Sequence, residues 1–207
     1  AAEEMNTSIE NLKIITCHLG NGASVAAIDR GKSVDTSMGL TPLEGLVMGT
    51  RSGDIDPSLV PFLAEKENIT ADKVEEILNK ESGLLGVSGV SNDFREINEA
   101  AQSGNDRAQL ALDLFYYRIK KYIGSYLVAM DGLDVIIFTG GIGENEGIAR
   151  AGILKDMNYL NINIDEQANQ VKSETKEIST DNSSVKVFTI PTNEELVIAR
   201  AAQNLVS

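Results

Sequence analysis

The chain has no tryptophan, one histidine, one cysteine and four prolines among its 207 residues, and aromatics make up only 5%. A single cysteine, Cys17, excludes an intramolecular disulfide and so points to a reducing compartment. It follows Ile14, Ile15 and Thr16, a β-rich run, and reads as a buried apolar filler rather than a reactive thiol. Basic residues are also scarce, with 18 Lys and Arg against 31 Asp and Glu and a formal charge of −13. Such a surface argues against nucleic acid and membrane lipid as partners, because both attract basic faces. No uncharged run is long enough to span a bilayer and no basic-then-apolar leader opens the chain, so a cytoplasmic protein is expected.

What is present is a 42% hydrophobic content, enough for a proper core in one large domain or one and a half. Residues 1–11 look like the tail of an upstream helix and a turn, as if the chain began in mid-fold. Lys13 to His18 and Ser24 to Asp29 read as strands joined by the turn Gly20-Asn21-Gly22, and Arg30-Gly31 marks another hairpin. Thr36 to Pro57 is a long irregular segment, which in an ordered domain is usually functional. From Ser58 to about Met130 the pattern is helical, with starts at Thr70 and at Ser91-Asn92-Asp93. Its longest helix carries Leu112, Phe115, Ile119, Tyr122, Ile123, Tyr126, Leu127 and Met130 on one stripe, and Tyr116, Tyr117, Tyr122 and Tyr126 read as packing residues. Helix is also expected over Ala149 to Met157, a polar surface stretch over Glu166 to Glu177, a last strand over Val185 to Ile190, and a terminal helix from Glu194. The sum is a mixed α/β layered domain.

Four segments carry chemistry. Asp134 to Phe138 is a strand running into Gly140, Gly141 and Gly143, then a helix start at Glu144 and Asn145. Backbone without Cβ atoms admits a ligand closely, although such turns also arise for steric reasons alone. The spacing is not G-x-G-x-x-G, so the dinucleotide fingerprint is absent. His18-Leu19-Gly20-Asn21-Gly22 places N–H groups and the Asn21 amide on a tight turn suited to phosphate oxygens. Arg51, isolated in Gly49-Thr50-Arg51-Ser52-Gly53-Asp54, offers a donor fork that matches a phosphoryl group; the bland alternative is an ion pair to Asp54 or Asp56. In Thr192-Asn193-Glu194-Glu195, Thr192 and Glu195 fit a capping box, leaving Glu194 either as a single carboxylate for Mg²⁺ or as an acid favoured by the helix dipole. Together these suggest phosphoryl transfer, in which Arg51 stabilises charge on the moving group. No Walker G-x-x-x-x-G-K-[ST] is present.

These four segments, in their order along the chain, resemble signatures of the acetate kinase (acetokinase) family, within the superfamily of acetate and sugar kinases, Hsp70 and actin. The resemblance runs from about Leu12 to the end and includes Thr36-Ser37-Met38-Gly39-Leu40-Thr41-Pro42-Leu43-Glu44-Gly45. It implies a ribonuclease H-like α/β fold with helices packed on a mixed sheet. It also implies that His18, Leu19, Gly20, Asn21 and Gly22 contact the ATP phosphates, with His18 near the transferred group and Arg51 as the transition-state stabiliser. Asp93, Phe94 and Arg95 would line the nucleotide pocket, Gly141, Ile142, Gly143, Glu144 and Asn145 would hold the adenosine, and Glu194 would bind Mg²⁺ (or Mn²⁺). The family reaction moves the γ-phosphoryl group of ATP reversibly to acetate, giving acetyl phosphate and ADP, in a homodimer whose interface lies largely in this half.

The family's N-terminal half has no counterpart here, so the chain looks like a C-terminal half. By the resemblance, residues 12–193 form the nucleotide-binding domain and residues 194–207 a helix that packs on the missing half. Alone, such a half is expected to bind ATP weakly and to turn over nothing. A propionate or butyrate kinase is the related alternative, and a non-catalytic nucleotide-binding module the alternative of another class.

Overall fold

The computed structural model describes residues 1–193 together with Glu195, Ile198, Ala199, Ala202, Gln203 and Leu205. Its centre is a six-stranded mixed sheet in the order β3-β2-β1-β4-β6-β5. The strands are β1 (Lys13–Leu19), β2 (Ala23–Asp29), β3 (Lys32–Thr36), β4 (Val135–Thr139), β5 (Lys176–Glu177) and β6 (Lys186–Thr189). Both expected hairpins form. Arg30 and Gly31 take φ of +52° and +77°, the pair of left-handed residues that a two-residue turn needs to match the strand twist. β1 pairs in parallel with β4, and β4 with β6, so three strands end on the same side of the sheet.

Strand alternation sends Ile15, Cys17 and Leu19 to one face and Leu12 and Ile14 to the other. The first face packs on α5 (Asp106–Ala129), whose buried residues Ala108, Ala111, Leu112, Phe115, Ile119, Ile123 and Tyr126 recur at three and four. Burying each large side chain there contributes about 1.5–3 kcal/mol. Asn105 starts that helix by accepting from Arg107 N and Ala108 N. Thr70 and Asp93 likewise cap α2 (Ala71–Lys80) and α4 (Phe94–Gln102), as their residue types predict. The remaining helices are α1 (Leu59–Glu67), α3 (Gly83–Ser88), α6 (Gly140–Asn145) and α7 (Gly147–Leu154). On the opposite face Ala1, Ala2 and Met5 pack against Leu12, Ile14, Val135 and Phe188, so the opening residues dock on this sheet.

Cys17 is fully buried, and burial pushes its thiol well above the ordinary range, as a filler requires. Three expectations need correction. Tyr117 is 59% exposed, because it lies off the stripe that its neighbours Phe115 and Tyr116 share. α7 stops at Leu154 rather than Met157, since Lys155 is extended and Asp156 is left-handed. The polar stretch after Glu166 is not all surface, for Asn169 is buried against α7.

Candidate functional site

The turn between β1 and β2 is closed on itself, with Gly20 N donating to Gly22 O at 3.0 Å. That N–H is therefore not the outward donor its glycine suggested. Asn21 is oriented instead: its Oδ1 accepts from Asn92 Nδ2 at 2.9 Å, which leaves its own amide hydrogens facing away. A Cβ on Gly49 would lie 2.1 Å from Asn21 Oδ1, so a side chain there would displace the Asn21 amide. His18, the last residue but one of β1, is half-buried and in register with Ser24 and Thr139.

The loop carrying Arg51 is built by backbone. Met48 N donates to Arg51 O, and Ser82 N, Leu84 N and Leu85 N from the start of α3 donate to Thr50 O, Met48 O and Gly49 O. Gly83, at φ +60°, permits this approach, since a Cβ would sit 2.2 Å from Met48 O. Arg51 Nη1 lies at the Gly22 turn, 3.3 Å from where a Cβ would be, and donates to Met48 Sδ at 3.5 Å. Among the described residues no carboxylate pairs with it. Asp54 is taken by Arg118, by the Tyr122 hydroxyl at 2.7 Å and by Gly45 N at 2.8 Å.

The glycines after β4 have different jobs. Gly140 takes φ +77° and a Cβ would lie 2.7 Å from Leu19 O, while a Cβ on Gly143 would meet Phe138 at 3.3 Å. Both are small so that α6 can start on top of the sheet. Gly141 alone of the three opens to empty space. Glu144 faces inward, its Oε1 accepting from Gly140 N at 2.8 Å and from Thr192 N at 3.0 Å. It thereby ties the turn to the chain leaving β6, where the Thr192 hydroxyl meets that of Thr139 at 2.6 Å. Asn145 Nδ2 donates to Gly141 O at 2.9 Å.

Beneath this turn lies Arg150, fully buried and bonded only to neutral acceptors: Asn169 Oδ1 at 2.7 Å, Gly143 O at 2.7 Å, Asn169 O at 2.6 Å and Val171 O at 3.1 Å. Burial lowers its guanidinium to about 10, opposed by the charge of Glu146. Sequence periodicity treats Arg150 as one more helical residue, and its partners 19 and 21 positions away give no local signal.

At the start of α4, Arg95 Nη2 and Nε grip Asp93 at 2.6 and 3.1 Å, and these hydrogen bonds hold the Asp93 carboxyl below its usual range. Phe94 is buried against Phe115 and Tyr116. A cavity of about 520 Å³ brings together Gly20, Asn21, Asp93, Phe94, Arg95, Gly141, Ile142 and Asn145, with Gly49, Leu84, Asn92, Glu146 and Lys172. His18, Leu19, Gly22, Gly143 and Glu144 do not line it, and the Leu19 side chain is buried in the core. A larger groove of about 1090 Å³ runs between α5 and α7. It collects none of the predicted residues, whereas the smaller cavity has convergent polar groups at the ends of parallel strands, where open α/β sheets bind ligands.

Glu194 lies outside the described residues, as does most of the terminal segment 194–207. Among the described residues no three His, Cys, Asp or Glu converge, and Asp93 and Glu144 are already engaged by donors. No helix among the described residues is long and apolar enough to cross a membrane.

An antiparallel meander continued by parallel strands, with a Gly-rich helix start at the end of a central one, defines a ribonuclease H-like domain of the actin and Hsp70 type. Residues 1–200 match the model of the acetokinase family, and the chain belongs to that family. It is 57% identical to the acetate kinase of Natranaerobius thermophilus and 58% to that of Halothermothrix orenii, covering 100% of this chain and 52% of each relative. Porphyromonas gingivalis acetate kinase superposes with a TM-score of 0.96 at 47% identity, covering 100% of this chain and 52% of that one. A propionate kinase from Francisella tularensis superposes with a TM-score of 0.88 at 45% identity, covering 96% and 50%. The chain spans about half the length of the curated relatives it matches.

Proposed function

We propose that this chain is the nucleotide-binding half of an acetate kinase, which moves the γ-phosphoryl group of ATP reversibly to acetate and yields acetyl phosphate and ADP. One observation carries the reading: three separate segments, at Gly20, Asp93 and Gly141, meet around a single cavity, with Arg51, which has no carboxylate partner among the described residues, at the adjoining Gly22 turn. In a chain whose formal charge is −13, a guanidinium with no carboxylate partner among the described residues supports an anionic ligand.

In this reading the Gly20-Asn21-Gly22 turn receives the phosphates, the free Asn21 amide donates to them, and the backbone of His18 and Leu19 holds the turn in place. Arg51 stabilises charge that spreads over the transferred phosphoryl group, with the His18 ring beside it. Gly141, Ile142, Asn145, Asp93, Phe94 and Arg95 enclose the adenosine. Gly143 and Glu144 support that wall from behind, and Glu144 also holds the segment that leads to Glu194. Mg²⁺ (or Mn²⁺) comes bound to the nucleotide, with Glu194 as its single protein carboxylate, and neutralises phosphate charge. Residues 194–207 pack on an N-terminal domain, and the enzyme acts in the cytoplasm as a homodimer through this half. The Francisella tularensis likeness keeps a propionate kinase as the related alternative.

Calorimetric titration of this chain with Mg·ATP tests the reading; weak binding without acetyl phosphate formation is expected, and no nucleotide binding at all overturns it. In a protein completed with an acetokinase N-terminal half, Arg51→Ala should lower kcat on the order of a thousandfold with little change in ATP affinity.

A further inference from the structure

Lys172 has no part in the roles above, yet it lines the same cavity beside Asn145 and Glu146. It is held there from both sides. On one side the Val171 carbonyl accepts from buried Arg150 at 3.1 Å, and on the other Ser173 Oγ donates to Asn145 Oδ1 at 2.8 Å. Ser173 takes φ +48°, a conformation that residues other than glycine rarely adopt, so these bonds hold the chain in a shape it would otherwise leave. Both pins end on the α6–α7 segment, the same one that presents Gly141 to the cavity.

The two cations at the cavity differ in availability. Arg95 is locked by two hydrogen bonds to Asp93. Lys172 makes no ion pair with a described carboxylate, in a protein whose formal charge is −13. Its place along the cavity matters too. Gly20 and Asn21 reach the cavity from the β1–β2 turn, whereas Lys172 reaches it with Asn145, to which the adjoining Ser173 is bonded.

We propose that Lys172 is a nucleoside-binding residue, its ammonium donating hydrogen bonds to neutral acceptors of the ribose or the purine. This rests on the nucleotide reading above, which gives the phosphates to the Gly20 turn and the adenosine to Gly141, Ile142 and Asn145, the segment to which Lys172 is pinned. Lys172 is then a determinant of nucleotide affinity and not of phosphoryl transfer.

The test titrates this chain, Lys172→Met and Lys172→Arg with Mg·ADP, Mg·2′-deoxy-ADP and magnesium pyrophosphate. Lys172→Met should lose about tenfold in ADP affinity, the effect of one hydrogen bond from a charged donor. Pyrophosphate binding should not change, and Lys172→Arg should keep most of the affinity. A loss for ADP that is missing for the 2′-deoxy analogue assigns the contact to the ribose hydroxyl, and an equal loss assigns it to the rest of the nucleoside. Ser173→Ala, which removes one pin and leaves the ammonium, should give a smaller loss in the same direction. An equal loss of pyrophosphate affinity would make Lys172 a phosphate ligand and overturn the proposal. Unchanged ADP affinity in Lys172→Met, with the parent chain binding normally, overturns this inference alone; a parent chain that binds no ADP overturns the nucleotide reading as well.

Discussion

Arg118, on the long helix, takes the Asp54 carboxylate that Arg51, three positions away in sequence, leaves alone. Asp54 is shared further, with Tyr122 and with the backbone of Gly45, so one carboxylate fastens the Arg51 loop to α5. Replacing Asp54 with alanine strands all three donors and should destabilise the protein by about 2 kcal/mol, with the partial exposure of the site keeping the figure modest. Urea unfolding measures it. An unchanged midpoint would mean that the backbone bonds to α3 hold the loop unaided.

Adjacent glycines should answer in opposite ways. Gly140→Ala forces a side chain into a left-handed conformation and against Leu19 O, and should cost about 3 kcal/mol. Gly141→Ala adds a methyl in open space within a helix, so thermal stability should hold or rise by up to about 1 kcal/mol. That methyl enters the cavity, and Mg·ADP affinity should fall. Equal unfolding temperatures for the two variants would contradict this division of labour.

Arg150 should be the costliest polar residue to remove. Arg150→Met leaves the carbonyls of Gly143, Asn169 and Val171 without their donor in a dry site, a loss on the order of 4 kcal/mol. For a domain of this size the unfolding temperature should drop by roughly 10 °C. Nucleotide affinity should weaken with it, because the same guanidinium joins the α6 turn to the segment bearing Lys172. A variant as stable as the parent would show that water replaces those bonds.

Alkali should unfold the protein. Desolvation is the leading cause that raises Tyr116, Tyr122 and Tyr126 above the usual phenol range, and at Tyr122 the hydrogen bond to Asp54 adds to it. A raised folded value means the native state keeps protons that the unfolded chain releases. This stability is therefore complete below pH about 10 and is lost as pH climbs beyond it. Arg150 works in the opposite direction, since its lowered folded value adds stability above pH about 10, but three phenols outweigh it. Unfolding temperatures measured from pH 8 to 11 (about one unit either side of the phenol range), with phenolate absorbance followed in parallel, should fall together as phenolate appears. Full tyrosine ionisation in a still-folded protein would refute the assignment.

Much of the site was legible in the residues because its parts are local. Asp93 is an N-cap by type, Gly20-Asn21-Gly22 a turn by composition, and Gly141 a gap by its lack of a side chain, and all three border the cavity. The same reasoning left a ligand role and a steric one open for every glycine after β4, and the close approaches at Gly140 and Gly143 give those two a steric role. Gly140 and Gly143 look identical to Gly141 in a string of letters; only the carbonyl of Leu19 and the chain at Phe138 distinguish them. Lys172 and Arg150 went unnoticed for a related reason, since a charged residue in an acidic surface stretch or a helix carries no mark of what it faces.

What the sequence by itself determined is what repeats over a few residues: the alternation of β1 and β2, the stripe from Leu112 to Tyr126, and the caps at Thr70 and Asp93. Those patterns follow from backbone geometry, which sees only near neighbours. Tertiary structure alone decided which partner each charge takes. Arg118 reaches Asp54 across 64 positions, Glu144 reaches the N–H of Thr192 across 48, and Arg150 reaches Asn169 across 19. Burial makes an unpaired charge costly, so these three take partners, but which ones they take is settled only when the sheet and α5 bring distant segments together.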